Sequence, residues 1–362
     1  MGVSFTIKSH LREYHVEFVQ DPRYLENLAA DNHSLFFVDQ RVLELYSHLF
    51  SGVKEERLIK LPIREEIKTI GTVAELYRTL LQRNIRRSDV LVAVGGGITQ
   101  DIIGFLSSTL FRGIEWIFVP TTLLAQADSC IGSKTSLNFD AYKNIVGTFY
   151  PPSAIFVDIQ FLKTLNTSDI ASGVGEIIKI LLADVKSEGD LHELEESFGG
   201  GLRSADEAAP FIERALKVKK TYIEEDEFDT GRRAILNYGH TLGHALESVS
   251  HYEIPHGLAV VMGMIYANII AKNRGLIDMT VFDEVNHKIL IPNLHLKELK
   301  LKKDYFDDSS LLEKIGKDKK RMTQNLSFIL PERFFELKKF NNVTQDEFKT
   351  TLNEFVHTVG LY

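Results

Sequence analysis

The stretch Asp89–Asp101, DVLVAVGGGITQD, joins a short unbroken apolar run to three glycines and then to a polar–apolar mixture. An apolar run of that length, rich in β-branched residues, reads as a buried strand. Gly95-Gly96-Gly97 followed by ITQDIIGFLSSTLF reads as a tight turn into a helix. Glycines at such a corner let backbone N–H groups approach a phosphate, and the helix N-terminus adds a positive dipole end. The spacing is not the GxGxxG fingerprint. A nucleotide pyrophosphate site and a turn that only needs flexible backbone therefore both stay open.

Outward from this corner the alternation repeats. SLFFVD (Ser34–Asp39), EWIFVP (Glu115–Pro120) and SAIFVD (Ser153–Asp158) are further strand patterns, and EEIKTIGTVAELYRTLLQRN is an amphipathic helix. Strand–helix alternation predicts a parallel sheet with helices on both faces, and binding loops at the carboxyl ends of the strands, facing a cleft between domains. From about Thr164 the strand signals stop. DIASGVGEIIKILLADV, AAPFIERALKVKKTYIEED, RRAILNYGHTLGHALE and GLAVVMGMIYANIIAKNRG all read as helices. The expected organisation is an α/β domain over residues 1–166 and an all-helical domain over 167–362.

Composition narrows the functional classes. The chain has 362 residues, 44% of them hydrophobic and 25% charged, which is ordinary for a globular protein. No apolar run approaches the roughly 20 residues that span a bilayer. MGVSFTIKSH lacks a signal-peptide pattern. It matches a myristoylation pattern loosely, but FTIKSHLREYHVEFV reads as ordered strand. A single cysteine, Cys130, excludes an internal disulfide and fits a reducing cytoplasm. The net charge of −8 gives no global basic field for nucleic acid. Lys297–Lys303 reads as a solvated face.

Several polar residues stand where packing would want apolar ones. Read as one helix, Arg232–Glu247 puts Arg233, Asn237, His240 and His244 on a single face, at steps of four, three and four. HxxxH on a helix is a recurrent two-ligand zinc arrangement, and Pro255-His256-Gly257 offers a third imidazole. Glu176 and Lys179, at i and i+3 in an apolar helix, are either a surface pair or a buried one, and a buried Glu wants a metal or a cation. Asp128, Lys134, Lys143 and Asn144, in ADSCIGSKTSLNFDAYKN, suit a phosphate or carboxylate, or else a surface loop. The same two readings hold for Arg112, Lys219, Lys319 and Lys320. Thr121 and Thr122, after EWIFVP, are either hydroxyl donors to a ligand or a strand-end turn.

The order and spacing of these motifs resemble the 3-dehydroquinate synthase family of sugar-phosphate cyclases. The resemblance runs from about Ser34 to Ile329, through VAVGGGITQD, VPTTLLAQADSCIGSKTSLN, KNIVGTFYPP, GEIIK, LNYGHTLGHALE with PHGLAV, and KDKK. It implies a Rossmann-like NAD-binding domain, a helical domain that holds a divalent metal (zinc or cobalt), and a homodimer. It implies the metal ligands Glu176, His240 and His256, which gives His244 to the substrate rather than to the metal. It places Asn144, Asn237 and Lys134 with His244 at the substrate's phosphate. Asp128, Lys143, Lys179, Lys219 and Arg233 line the same pocket, with Arg233 on the substrate carboxylate. Lys319 or Lys320 closes on the phosphate, and Arg112 reaches in from the partner subunit. For NAD the matching positions are Asp39, Glu65, Lys68, Gly96, Gly97, Asp101, Thr121, Thr122, Lys134, Lys143, Phe161 and Thr164.

The activity so implied is conversion of 3-deoxy-D-arabino-heptulosonate 7-phosphate to 3-dehydroquinate with phosphate release, a step of the shikimate pathway. It would run by transient oxidation at NAD, β-elimination of phosphate, re-reduction, ring opening and aldol closure, with the phosphate as its own base. The sequence departs from the family pattern at Ser133 (usually Gly), Phe139 (usually His), Tyr142 (usually Gly) and Asp229 (usually Glu). A cyclase acting on sedoheptulose 7-phosphate or glucose 6-phosphate is one alternative. Those substrates carry no carboxylate, so the retained Arg233 and His244 favour the sugar acid. A metal-dependent polyol dehydrogenase would not need the cations at 134, 143, 219 and 233. A non-catalytic binding protein would not need the metal and cofactor positions.

Overall fold

Val90–Gly95 is a strand buried on both faces. The computed structural model describes residues 3–140, 142–296, 299, 301–318 and 325–360. These form two compact units. The first takes the chain to Leu165 together with Lys219–Phe228; the second takes Asn166–Val218 and the chain from Asp229.

In the first unit the strands are β1 (Ser4–Ile7), β2 (Tyr14–Val19), β3 (Ser34–Asp39), β4 (Leu58–Leu61), β5 (Val90–Gly95), β6 (Glu115–Pro120), β7 (Lys134–Phe139), β8 (Tyr142–Phe149) and β9 (Ala154–Asp158). The helices are α1 (Arg23–Ala30), α2 (Gln40–Leu45), α3 (Ile70–Gln82) and α4 (Gly97–Thr109). Seven strands make one sheet in the order β1-β2-β9-β6-β5-β3-β4. Only β1 runs antiparallel to its neighbour. The chain goes outward from β3 to β4, then returns to the other side of β3 and continues through β5 to β6. The order therefore reverses between β3 and β5, and ligands of such sheets bind at the carboxyl ends beside that reversal. Asp39 and Gly95-Gly96-Gly97 lie there. Under the sheet, Phe36, Val38, Val92, Val94, Val119, Tyr46 and Phe161 pack as one apolar cluster.

Cys130 is 1% exposed, and burial pushes its thiol up to about 12. The thiolate is the reactive form, so native protein should resist iodoacetamide at pH 8, while guanidinium-unfolded protein reacts at one site. Mass spectrometry reads this directly; rapid alkylation of the native chain would contradict the buried placement.

The stretch from Lys134 to Phe149, read above with a surface loop as one option, is an antiparallel hairpin of β7 and β8. Its strand character is hidden because its partners are polar. Thr135 Oγ1 bonds the Thr148 carbonyl and hydroxyl at 3.2 and 2.8 Å, and Ser136 N donates to Asp101 at 2.8 Å.

The second unit contains α5 (Thr167–Leu182), α6 (Glu188–Phe198), most of α7 (Ala205–Glu225), α8 (His240–Val249), α9 (His256–Asn273), α10 (Met279–Asp283), α11 (Asp308–Asp318) and α12 (Gln345–Thr358). Asn166 starts α5 by accepting from Asp169 N at 2.8 Å. Helix α9 is buried from Gly257 to Ala271, as expected of a helix apolar all round. Among the described residues no helix is long and apolar enough to cross a membrane.

Three expectations are corrected. The helical unit also holds a hairpin, β10 (Asn325–Glu332) with β11 (Glu336–Thr344). A register shift between Leu326 and Phe328, and the polar face of ELKKFNNVT, mask its alternation. Lys219–Phe228, expected within 167–362, belongs to the first unit. There Lys219 pairs with Asp128, Glu224 accepts from Lys8 N at 2.8 Å, and Glu227 accepts from Ser9 Oγ and His10 N, both at 2.7 Å. Finally, Arg232–Glu247 is not one helix. Arg232–Asn237 is a 3-10 segment, Tyr238 is extended, and Gly239 at φ +80° starts α8. A β-carbon at Gly239 would sit 2.4 Å from the Val260 carbonyl, so both backbone angle and space require glycine.

Candidate active site

The second unit gathers Glu176 from α5, His240 from the start of α8 and His256 from the start of α9. One ligand atom from each lies within 4.8 Å of the others. Glu176 is fully buried, and Oε1 faces His256 Nε2 at 3.3 Å and His240 Nε2 at 3.8 Å. His240 Nδ1 lies 3.2 Å from the Tyr238 carbonyl, which fixes its proton there and turns the Nε2 lone pair inward. His256 Nδ1 bonds Glu247 at 3.1 Å in the same way. Outer partners of this kind orient metal-binding imidazoles. Burial holds His240 well below the ordinary histidine range, and the Lys179 ammonium and the other two imidazoles add to this. Burial also disfavours charge on His256, but the bonds to Glu176 and Glu247 outweigh it and push the ring up to about 10. A cation of zinc type fits this carboxylate and two oriented imidazoles. Lys179, 3% exposed, pairs with the other Glu176 oxygen.

His244 is exposed and stands outside that trio. Its ring centre lies 5.0 Å from that of His240 and 5.8 Å from that of His256. The second grouping available to it contains Glu247 and His256, but Glu247 already orients His256. A pocket bounded by Asn237, His240 and His244 adjoins the trio. Arg233 is buried on the 3-10 segment just before it. Lys319 and Lys320 lie outside the described residues.

In the first unit several of the positions expected for the nucleotide lie at the carboxyl ends of the inner strands β3, β5 and β6. Gly95 pairs with Pro120, so the Gly95–Gly97 turn and Thr121-Thr122 are adjacent, and Thr121 N donates to the Gly95 carbonyl at 3.0 Å. No side chain caps the α4 N-terminus, which suits an anion. Asp39 caps α2 through Arg41 N at 2.9 Å. Thr164 Oγ1 is 3.0 Å from the Tyr46 hydroxyl. The Phe161 ring is 1% exposed and packs edge-on against Tyr46, so its side chain is core.

Lys68, Asp101, Glu65, Lys143 and Asn144 form one polar network. Lys68 joins Asp101 at 2.5 Å and Asn144 Oδ1 at 2.7 Å; Glu65 takes Lys143 at 3.3 Å and Asn138 at 2.8 Å. Burial raises the Asp101 carboxyl despite Lys68. Asp128 and Lys219 form a separate pair, with Lys219 also donating to the Asp128 carbonyl at 2.6 Å. Lys134 opens β7 and Arg112 is exposed at φ +62°.

Against this geometry the sequence comparisons are specific. Residues 58–172 match the family model described as 3-dehydroquinate synthase N-terminal, and residues 173–321 match 3-dehydroquinate synthase C-terminal. The chain belongs to the 3-dehydroquinate synthase family. It is 37% identical over 316 residues to the 3-dehydroquinate synthase of Alkaliphilus metalliredigens, covering 86% of each chain. Among solved structures it is similar to the 2-epi-5-epi-valiolone synthase ValA from Streptomyces hygroscopicus subsp. jinggangensis with NAD+ and Zn2+ bound (TM-score 0.82, 26% identity, 97% of this chain and 99% of that one). It is equally similar to 2-deoxy-scyllo-inosose synthase complexed with carbaglucose-6-phosphate, NAD+ and Co2+ (TM-score 0.82, 26% identity, 97% and 100%).

Of the departures from the 3-dehydroquinate synthase family pattern, Ser133 has a physical account. Ser133 sits at φ +57°, where glycine is the easy choice, and its hydroxyl donates to Glu227 at 2.9 Å. Phe139 and Tyr142 face each other at the hairpin end, each about half exposed. Residues that motif reading passed over include Glu247, three positions after His244, and Glu227, 2% exposed. Glu247 was visible in HALE as an acid one helical turn from an imidazole. Glu227 carried no such signal, because its partners come from residues 9, 10 and 133.

Proposed function

We propose that this protein converts 3-deoxy-D-arabino-heptulosonate 7-phosphate to 3-dehydroquinate with release of phosphate, as a cytoplasmic homodimer that uses NAD and zinc. The observation that carries this reading is the Glu176–His240–His256 trio with Asn237 and His244 beside it, in a chain of this family. When bound, the metal supplies a Lewis acid for vicinal hydroxyls and NAD a reversible hydride acceptor.

The chain's own groups do the rest. Asp39, the Gly95–Gly97 turn and Thr121-Thr122 hold the dinucleotide at the switch point of the sheet. Lys179 pairs with the buried Glu176 carboxylate and holds it in place. Arg233 takes the substrate carboxylate through its planar fork. Asn237 and His244 donate to the phosphate, which itself removes the proton that starts its departure. Lys134, Lys143, Asn144 and the Asp128–Lys219 pair orient the sugar acid, Lys319 or Lys320 closes on its phosphate, and Arg112 acts from the partner subunit.

The test is phosphate release with NAD and zinc, comparing the seven-carbon sugar acid phosphate with sedoheptulose 7-phosphate and glucose 6-phosphate. Preference for the sugar acid phosphate by about 10- to 100-fold is expected from the loss of one charge-assisted anchor. Equal rates on the others would overturn the assignment, and net NADH accumulation would indicate a polyol dehydrogenase. Arg233→Ala should raise KM for the sugar acid phosphate by about 10- to 100-fold and leave NAD affinity unchanged. Equal losses for both ligands would remove the argument for a carboxylate partner.

A further inference from the structure

The pocket beside His240 has a second wall on the β10–β11 hairpin. Ser327, Ile329 and Lys339 line it together with Asn237 and His244. The wall is tied to α8, because Thr241 Oγ1 donates to the Ser327 carbonyl at 2.9 Å. Ile329 and Lys339 are direct cross-strand partners, so their side chains share a face, and that face is the pocket. Lys338 points the other way and is paired with Glu332. Among the described residues no carboxylate lies within ion-pair distance of Lys339. A lysine that lines one pocket with an amide and an imidazole is suited to a phosphoryl group.

We propose that Lys339 binds the substrate's phosphate, as a cationic arm reaching from β11 toward Asn237 and His244. This rests on the cyclase reading above, but the arm's chemistry is testable without turnover. The probe is inorganic phosphate, titrated calorimetrically into protein loaded with NAD and zinc. Lys339→Met should weaken phosphate binding about 10- to 100-fold, the usual loss for one charge-assisted hydrogen bond, while Lys339→Arg stays within about threefold. Lys338→Met should match the wild type. In turnover, KM for the sugar acid phosphate should rise in parallel with the phosphate constant, with zinc content and NAD affinity unchanged. If Lys339→Met and Lys339→Gln both bind phosphate within twofold of wild type, the proposal is overturned. A wild type that binds phosphate through Lys339 yet does not turn over the sugar acid phosphate would overturn the cyclase reading and leave the arm in place.

Discussion

Replacing His256 with alanine is expected to empty the metal site while the protein stays folded. The change removes one of three inward-facing ligand atoms and leaves the Glu247 carboxylate without its imidazole partner. Altering an outer partner alone costs about 10- to 100-fold in metal affinity, so loss of the ligand itself should exceed that. Turnover should fall by roughly 10³-fold or more, since a Lewis acid contributes several kcal/mol to such a reaction. His256 begins α9 after Pro255 and its side chain is one-third exposed, so its truncation makes no core cavity. Circular dichroism should match the wild type, and elemental analysis should show little zinc. Glu247→Gln should give the milder defect of an outer partner. Full metal occupancy in purified His256→Ala would show that the trio is not the metal site.

Gly263→Ala is expected to be among the most damaging single methyl groups in the second unit. Its β-carbon would lie 1.8 Å from the Gly239 carbonyl oxygen, far inside contact distance. Neither side yields easily, because Gly263 is mid-way along the buried α9 and Gly239 is the left-handed residue that starts α8. Overpacking of this kind costs about 3 kcal/mol, which for a unit of this size lowers Tm by roughly 6–12 °C. The displacement also falls next to His240, so zinc affinity should drop with stability. A thermal scan and a zinc titration on the same preparation check both; a variant with wild-type Tm would mean that the two segments separate without cost.

The first unit was the more legible in sequence because its central strands β3 and β5 are apolar runs buried along nearly their whole length. β3 and β5 announce themselves, and so does the glycine corner between β5 and α4. The hairpins were not legible for the opposite reason: β7–β8 satisfies its strands with threonines, serines and asparagines, and β11 carries a Lys-Lys and an Asn-Asn pair around Phe340. The break at Gly239 was hidden by periodicity. A 3-10 segment followed by a left-handed residue kept Asn237 and His240 facing one pocket, as an unbroken helix would have done. The metal trio was read from resemblance, since residues 176, 240 and 256 carry no mutual spacing signal. Lys339 sat in a Lys-Lys pair that looks like ordinary solvated surface, and only strand alternation separates it from its neighbour.

The passage of α7 from one unit into the other bears on how this gene can be divided. A fragment ending near codon 166 would lack Lys219–Phe228, and with it the carboxylate that receives Ser9, His10 and Ser133. The two halves of the polypeptide are thus not two independently inheritable modules. A split version should assemble only when both pieces are made together, or when the first piece is extended by grafting on the end of that helix.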